Sequence, residues 1–210
     1  GALRGIYGPV SQLITVKDKY SAAIETALGA AVQNIVVDNE TDAKRAMGFL
    51  KEHRAGRATF LPITAIKGRV LSEQGLDDQY GFVSIASDLV SYDNKYSEII
   101  RWLLGRTAVA EDIDSAIAIA KKYSYRFRIV TLDGQVINAG GSMTGGSRVQ
   151  NAGILSRGNE IERLKGSLAS MQKELDGMLS DYKLLSEDAS AAKAELEGAE
   201  GDLLRAKEEN

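Results

Sequence analysis

Ile161-Glu162-Arg163-Leu164-Lys165-Gly166-Ser167-Leu168-Ala169-Ser170-Met171 opens a run in which an apolar or small residue returns every seven positions. Ile161, Leu168, Leu175, Tyr182, Ala189, Leu196 and Leu203 form one row, and Leu164, Met171, Met178, Leu185, Ala192, Ala199 and Ala206 lie three residues after each. A straight helix drifts about 20° per heptad from such a pattern, so its persistence to the end of the chain specifies a coiled coil rather than a helix lying on a globular surface. The strongest seam residues are Ile161, Leu164, Leu168, Met171, Leu175, Met178, Tyr182, Leu185, Leu196 and Leu203. Gly166, Gly177, Gly198 and Gly201 fall at outward positions, where each costs about 1 kcal/mol of helix propensity without opening the seam. Asn159 followed by Glu162 matches a capping box and predicts a helix start near residue 160.

Charge restricts what this helix pairs with. The residues before the first row are Glu160, Ser167, Glu174, Asp181, Asp188, Glu195 and Asp202, six acidic and none basic. In an antiparallel pair of identical helices this row faces itself, so antiparallel self-pairing is excluded, whereas a parallel pair of the same helices matches only some of the charges.

Ahead of the coil the composition changes. Residues 160–210 carry 13 acidic and 7 basic side chains, whereas residues 1–159 carry 16 acidic and 19 basic, so a slightly basic head joins an acidic tail. That balance permits modest phosphate attraction by the head. With 44% apolar residues the 210-residue chain can bury one substantial core or two small ones. No run approaches the ~18 apolar residues of a membrane span, and the first residues lack a signal-peptide layout, so a cytoplasmic protein with no membrane contact is expected. Zero cysteines exclude disulfides and thiolate metal sites, and the single histidine, His53, anchors no histidine-rich one, so no metal is expected. His53 ends a lysine- and arginine-rich helix, where a solvated or dipole-facing role outweighs catalysis.

The head alternates strand and helix signals. Leu13 to Val16, Ile35 to Val37 and Ala58 to Leu61 read as strands, with helices at Lys19 to Ala31 and Thr41 to His53. The second half repeats the order, with a helix from Asp112 to Tyr123 leading to a strand from Arg128 to Leu132. Gly8-Pro9-Val10-Ser11 matches Gly81-Phe82-Val83-Ser84, Lys19-Tyr20-Ser21 matches Lys95-Tyr96-Ser97, Leu28-Gly29 matches Leu104-Gly105, and Val36-Val37-Asp38 resembles Ala108 to Glu111 in character. We read a mixed α/β (α+β) architecture of two related subdomains, 1–66 and 80–158, joined by a polar connector, 67–79, and followed by the coiled-coil arm, 159–210.

Gly140-Gly141-Ser142-Met143-Thr144-Gly145-Gly146-Ser147 places four glycines in eight residues. Something approaches this backbone closely. Phosphate is one candidate, since Gly141 to Gly146 has P-loop spacing, but Ser147 stands where that mechanism needs lysine and no helix signal begins there. A tightly packed subunit seam is the other. Basic residues Lys121, Lys122, Arg126 and Arg128 interleave with Tyr123, Tyr125 and Phe127, and Arg148, Arg157, Arg163 and Lys165 lie around the start of the coil. Such sets suit nucleic acid, although in a strand Phe127 would point inward between Arg126 and Arg128, and Tyr123 could close its helix against the core.

Arg128-Ile129-Val130-Thr131-Leu132-Asp133-Gly134, Val136-Ile137-Asn138, the glycine motif and the heptad helix together resemble the hinge of structural maintenance of chromosomes proteins, prokaryotic members above all. The likeness extends upstream through Gly5-Ile6-Tyr7-Gly8 and Gly56-Arg57-Ala58-Thr59-Phe60-Leu61-Pro62 and covers residues 4 to 165. It implies a non-catalytic dimerisation module of a chromosome- or nucleoid-associated ATPase. It further implies a ring-like homodimer, with Gly140, Gly141, Gly145 and Gly146 at the contact. ATP and magnesium would belong to head domains absent from these residues, which need no cofactor of their own. The partner of the coil is implied to be an antiparallel helix of the same chain, upstream of residue 1. The lysine run that some relatives carry after the glycines reads Arg148-Val149-Gln150-Asn151 here, which leaves only weak DNA contact expected. The competing class is a small-molecule or nucleotide-binding α/β enzyme with a helical oligomerisation tail.

Overall fold

The computed structural model describes residues 4–146 and 153–208. Its first half runs β1 (Ile6–Pro9), α1 (Val10–Leu13), β2 (Ile14–Val16), α2 (Asp18–Leu28), β3 (Ile35–Val37), α3 (Glu40–Glu52) and β4 (Phe60–Pro62). The second runs β5 (Phe82–Ile85), β6 (Val90–Tyr92), α4 (Ser97–Leu104), β7 (Thr107–Ala110), α5 (Ile113–Lys122), β8 (Arg128–Thr131), β9 (Val136–Ile137) and β10 (Met143–Thr144). A single helix, α6 (Ile154–Glu208), follows. Residues Gly1–Asn159 form one compact unit and Glu160–Asn210 another.

The mixed α/β architecture of two related subdomains holds, and hydrogen bonds expose the repeat in detail. β1 pairs antiparallel with β3, which pairs parallel with β4; β5, β7 and β8 copy that arrangement. Both antiparallel pairs carry an irregularity, between Ile6 and Gly8 in one and Phe82 and Ser84 in the other. The amide of Asp38 donates to the Gly5 carbonyl at 2.8 Å, and that of Glu111 donates to the Gly81 carbonyl at the same distance. Asn39 caps α3 by accepting from the Asp42 amide, and Asp112 caps α5 by accepting from the Ser115 amide. Gly5 and Gly81 have φ of 79° and 70°, and a Cβ on either would run into the side chain of Asp42 or Ser115. The structural equivalent of Gly81 is therefore Gly5, not Gly8 as the sequence alignment has it.

The halves are tied by a ribbon that neither has alone. β2 pairs antiparallel with β6, Ile14 opposite Tyr92, Thr15 opposite Ser91 and Val16 opposite Val90, so equivalent strands meet about a local two-fold. Beneath it a shared core takes Val10, Ile14, Ile24 and Leu28 from the first half and Val90, Ile99, Ile100 and Leu104 from the second. Residues 67–79 are more than a polar connector. Leu71 and Leu76 are buried, in a core with Ile119, Tyr123 and Phe127, and the Leu71 amide donates to the Gly105 carbonyl at 2.8 Å.

α6 starts at Ile154, so Asn159 lies inside the helix rather than capping it. A distant carboxylate overrides the local signal: Glu25 of α2, itself buried, accepts from the Leu155 amide at 2.6 Å. An anion at a helix N-terminus satisfies an orphan amide and meets the positive end of the dipole. Leu155 is buried in the shared core, and a Cβ at Gly153 would overlap the Glu25 carboxylate.

Candidate dimerisation interface

The glycine motif is the loop and outer strand of a hairpin. β9 follows β8 antiparallel, and β10 follows β9 antiparallel, Met143 opposite Ile137 and Thr144 opposite Val136, which makes β10 an edge strand. The loop is closed by the Asn138 amide donating to Ser142 O at 2.8 Å and the Gly141 amide donating to Asn138 O at 2.9 Å. Gly140 and Gly141 have φ of 86° and 96°, which L side chains rarely adopt. The Gly140 amide donates to Tyr125 O, and Gly141 lies against the Tyr125 ring. These two glycines thus serve the hairpin itself. Gly145 and Gly146 lie beyond the last paired residue of β10 and are exposed. A Cβ on Gly145 would meet only the end of the Gln135 side chain at 2.9 Å, and one on Gly146, at φ 141°, would point into open space. Met143 is 54% exposed, unusual for a large apolar side chain on a strand.

A second bare edge lies in the first half. β8 carries β9 on its outer side, whereas its counterpart β4 carries no further strand among the described residues. This edge was not singled out from the sequence. The signal lay in the repeat, because the second half has two strands, β9 and β10, with no counterpart after β4.

The residues expected to meet DNA fall into distinct surroundings. Arg128 reaches across to α2, its Nη1 donating to Ala27 O at 2.9 Å and its Nη2 to Thr26 O at 3.0 Å, so it satisfies a helix C-terminus rather than facing solvent. Burial lowers its pKa from the usual guanidinium value. Arg126 pairs with Glu73 at 3.1 Å, and Lys122 donates to Gln79 Oε1 at 2.8 Å. Lys121 lies in the last turn of α5 and is exposed. Tyr123 and Phe127 are buried, with the Tyr123 hydroxyl donating to Gln74 O, so neither offers a face to a base. Arg157 lies in the first turns of α6. Along the helix, Arg163 pairs with Glu160 at 2.6 Å, holding that carboxyl below its usual range, and Lys165 follows. Arg148 lies outside the described residues. His53 stacks on Phe49 at a centroid distance of 4.1 Å, and its Nδ1 lies 2.9 Å from Phe49 O, at the end of α3.

In the Glu160–Asn210 unit the seam stands open. Ile161, Leu164, Leu168, Met171, Leu175, Met178, Tyr182, Leu185, Leu196 and Leu203 are all exposed. A stripe of this length in water calls for a covering helix. Among the described residues no helix is long and apolar enough to cross a membrane, and no group of three or more His, Cys, Asp or Glu could hold a metal ion.

A duplicated α/β core ending in a glycine hairpin and a heptad helix defines a hinge fold, and residues 3–120 match the family model of the SMC proteins flexible hinge domain. The chain belongs to that family. It is 41% identical over 191 residues to the chromosome partition protein Smc of Lactiplantibacillus plantarum, a match covering 88% of this chain and 16% of that protein. The chain thus spans about a sixth of the length of such curated relatives. Among solved structures, an asymmetric dimer of the Geobacillus stearothermophilus SMC hinge domain superposes with a TM-score of 0.74 at 48% identity, covering 81% of this chain and 70% of that one. The Pyrococcus furiosus Smc hinge domain with an extended coiled coil gives 0.60 at 33% identity, covering 95% and 73%.

Proposed function

We propose that the chain is the dimerisation hinge of a chromosome-partitioning ATPase, in which β10 of each copy pairs with the bare edge of β4 in the other, twice, closing a two-fold ring. The observation behind this reading is the mismatch between the halves: β8 is covered by β9, β4 is uncovered among the described residues, and the strand left over at the opposite edge is flanked by the glycines. Gly145 and Gly146 leave β10 without side chains there, so another backbone can come close. Gly140 and Gly141 shape the turn that presents the strand. The crystallised Geobacillus hinge is a dimer, which supports the same reading. The working division is 1–66 and 80–158 as the two subdomains, 67–79 between them and 159–210 as arm. Multi-angle light scattering of the 210-residue chain tests it, with twice the 22.6 kDa chain mass expected and a monomer overturning the reading.

The chain itself catalyses nothing in this scheme; nucleotide and magnesium bind at head domains elsewhere in the longer protein, which works on the chromosome. The open seam of α6 is covered by an antiparallel helix from the same subunit, basic along the row that meets Glu160, Glu174, Asp181, Asp188, Glu195 and Asp202. DNA contact is weak and salt-sensitive. Lys121, Lys122, Arg126, Arg148, Arg157, Arg163 and Lys165 remain its candidates; Arg128 drops out because the α2 carbonyls engage its guanidinium. Charge reversal at Lys121 and Lys122 should weaken DNA retention and flatten its salt dependence by about one log–log unit per lost phosphate contact. Retention unaltered at low salt would move the contact elsewhere or remove it.

A further inference from the structure

The repeat carries one step further than the pairing of edges, to the side chain that anchors it. In the second half, Ile137 of β9 lies opposite Ile129 of β8 and is fully buried with Ala116 and Ala120 of α5. The equivalent of Ile129 is Phe60, since Ile35 pairs with Phe60 as Ala108 pairs with Ile129. The two caps, Asn39 and Asp112, align the helices so that Ala43 matches Ala116, Met47 matches Ala120 and Leu50 matches Tyr123. Beside α3, where Met47 and Leu50 stand at the places of Ala120 and Tyr123, the first half has a cleft of about 290 Å3 lined by Met47, Leu50, Lys51, Gly56, Arg57 and Ala58. Met47 is 53% exposed there.

The occupant follows from strand direction and pleat. β10 is antiparallel to β9, hence parallel to β8, and Met143 faces Ile137 across the ladder, so both project from the face that α5 covers. The two crossovers, β3 to β4 through α3 and β7 to β8 through α5, take the right hand. Bringing β10 of one copy antiparallel to β4 of another therefore places α3 and the partner's α5 on the same face of the joined sheet. Met143 then projects on the side of Met47 and Leu50. We propose that Met143 of each copy fills this cleft in the other, doing against α3 what Ile137 does against α5. An unbranched, polarisable side chain suits an irregular groove made by a second methionine and a leucine. Thr144, next along the strand, faces the other way.

This rests on the dimer reading above, and the test separates the two. The chain has no cysteine, so single cysteines report without background. Met143→Cys and Ala58→Cys chains are mixed, allowed to exchange and treated with a short bis-maleimide, with Thr144→Cys replacing Met143→Cys as control. Covalent dimer from the Met143→Cys and Ala58→Cys pair, at least about fivefold above the control, is expected from the opposite facing of adjacent strand residues. In parallel, Met143→Lys should raise the dimer dissociation constant at least about tenfold by placing an ammonium beside Lys51 and Arg57 of the cleft, while Met143→Leu stays within about threefold. A wild-type monomer overturns the dimer reading and this one together. A stable wild-type dimer with equal crosslinking at 143 and 144, or with unaltered affinity in folded Met143→Lys chains, overturns this inference alone.

Discussion

The two halves of the globular unit share a repeat but differ in how they finish. The first stops at β4 and leaves a strand edge and a cleft beside α3 in water; the second goes on through β9 and β10, covers the edge equivalent to that of β4, and ends on a bare strand of its own. Exposed edges invite pairing with another chain, and proteins usually blunt them. In the proposed dimer the surplus of one half meets the deficit of the other, which a single chain does not bring together and two chains can. The difference between halves is thus where the function lies, and similarity is where the stability lies.

The largest effect should come from spoiling the surplus strand. Gly145→Val with Gly146→Val puts branched side chains where the proposed pairing brings two backbones together, and at residue 146 also forces a side chain into the left-handed region. Overpacking of this kind costs about 1–3 kcal/mol per site, so the dimer should weaken at least about thirtyfold. Analytical ultracentrifugation should show monomers with an unchanged circular dichroism spectrum. A dimer of wild-type affinity would take these glycines out of the interface.

A second contrast concerns helix ends. Leu28 and Leu104 close α2 and α4 at equivalent places, which makes Arg101 the counterpart of Glu25. Each lies under a chain segment leaving a sheet, Gly153 over Glu25 and Gly68 over Arg101. Glu25 is buried and holds the first turn of α6, whereas Arg101 is half exposed and pairs with Glu98 at 3.3 Å. Glu25→Ala should therefore cost about 1.5–3 kcal/mol, the range for a lost hydrogen bond to a charged group, and Arg101→Ala under about 1 kcal/mol. Urea midpoints compare them directly; equal losses would mean that the Glu25 cap adds nothing.

Much of this was legible in the sequence, for identifiable reasons. Ile35 to Val37 is a strand as read, and the helices expected at 41–53 and 112–123 form within a residue of those limits, because amphipathic period and cap lie within the segment itself. The heptad helix is equally local. The β2–β6 ribbon was not, because three-residue strands whose partners lie in the other half leave no local signature. The start of α6 was misplaced for the same reason: Asn159 offers a local cap, but Glu25, remote in sequence, supplies the actual one. Arg128 reads as part of a nucleic-acid surface because composition shows charge, not the helix end that a fold brings to it. The inward placement of Phe127 and Tyr123 did follow, since alternation and helix face dictate it.

The smallest expected effect is in the caps, and it turns on one functional group. Asn39 caps α3 with an uncharged amide side chain, while Asp112 caps α5 with a carboxylate. Hydrogen bonding, chiefly from the Ser115 amide, lowers the Asp112 pKa from its usual value, against a weaker opposing push from Asp133. A carboxyl whose folded pKa is depressed contributes stability that is fully present above its unfolded value, about 3.9, and is lost as pH falls through the folded one. Asp112→Asn, which copies the first half's cap, keeps an acceptor that does not titrate in this range. The variant should melt slightly below wild type at pH 7, where the charged cap also meets the helix dipole, and the gap should shrink or reverse below about pH 3.5. Differential scanning calorimetry from pH 7 to pH 3 reads this as a converging pair of melting curves. Curves that stay parallel across that interval would show that the Asp112 charge does not stabilise α5, and that the two caps differ in name only.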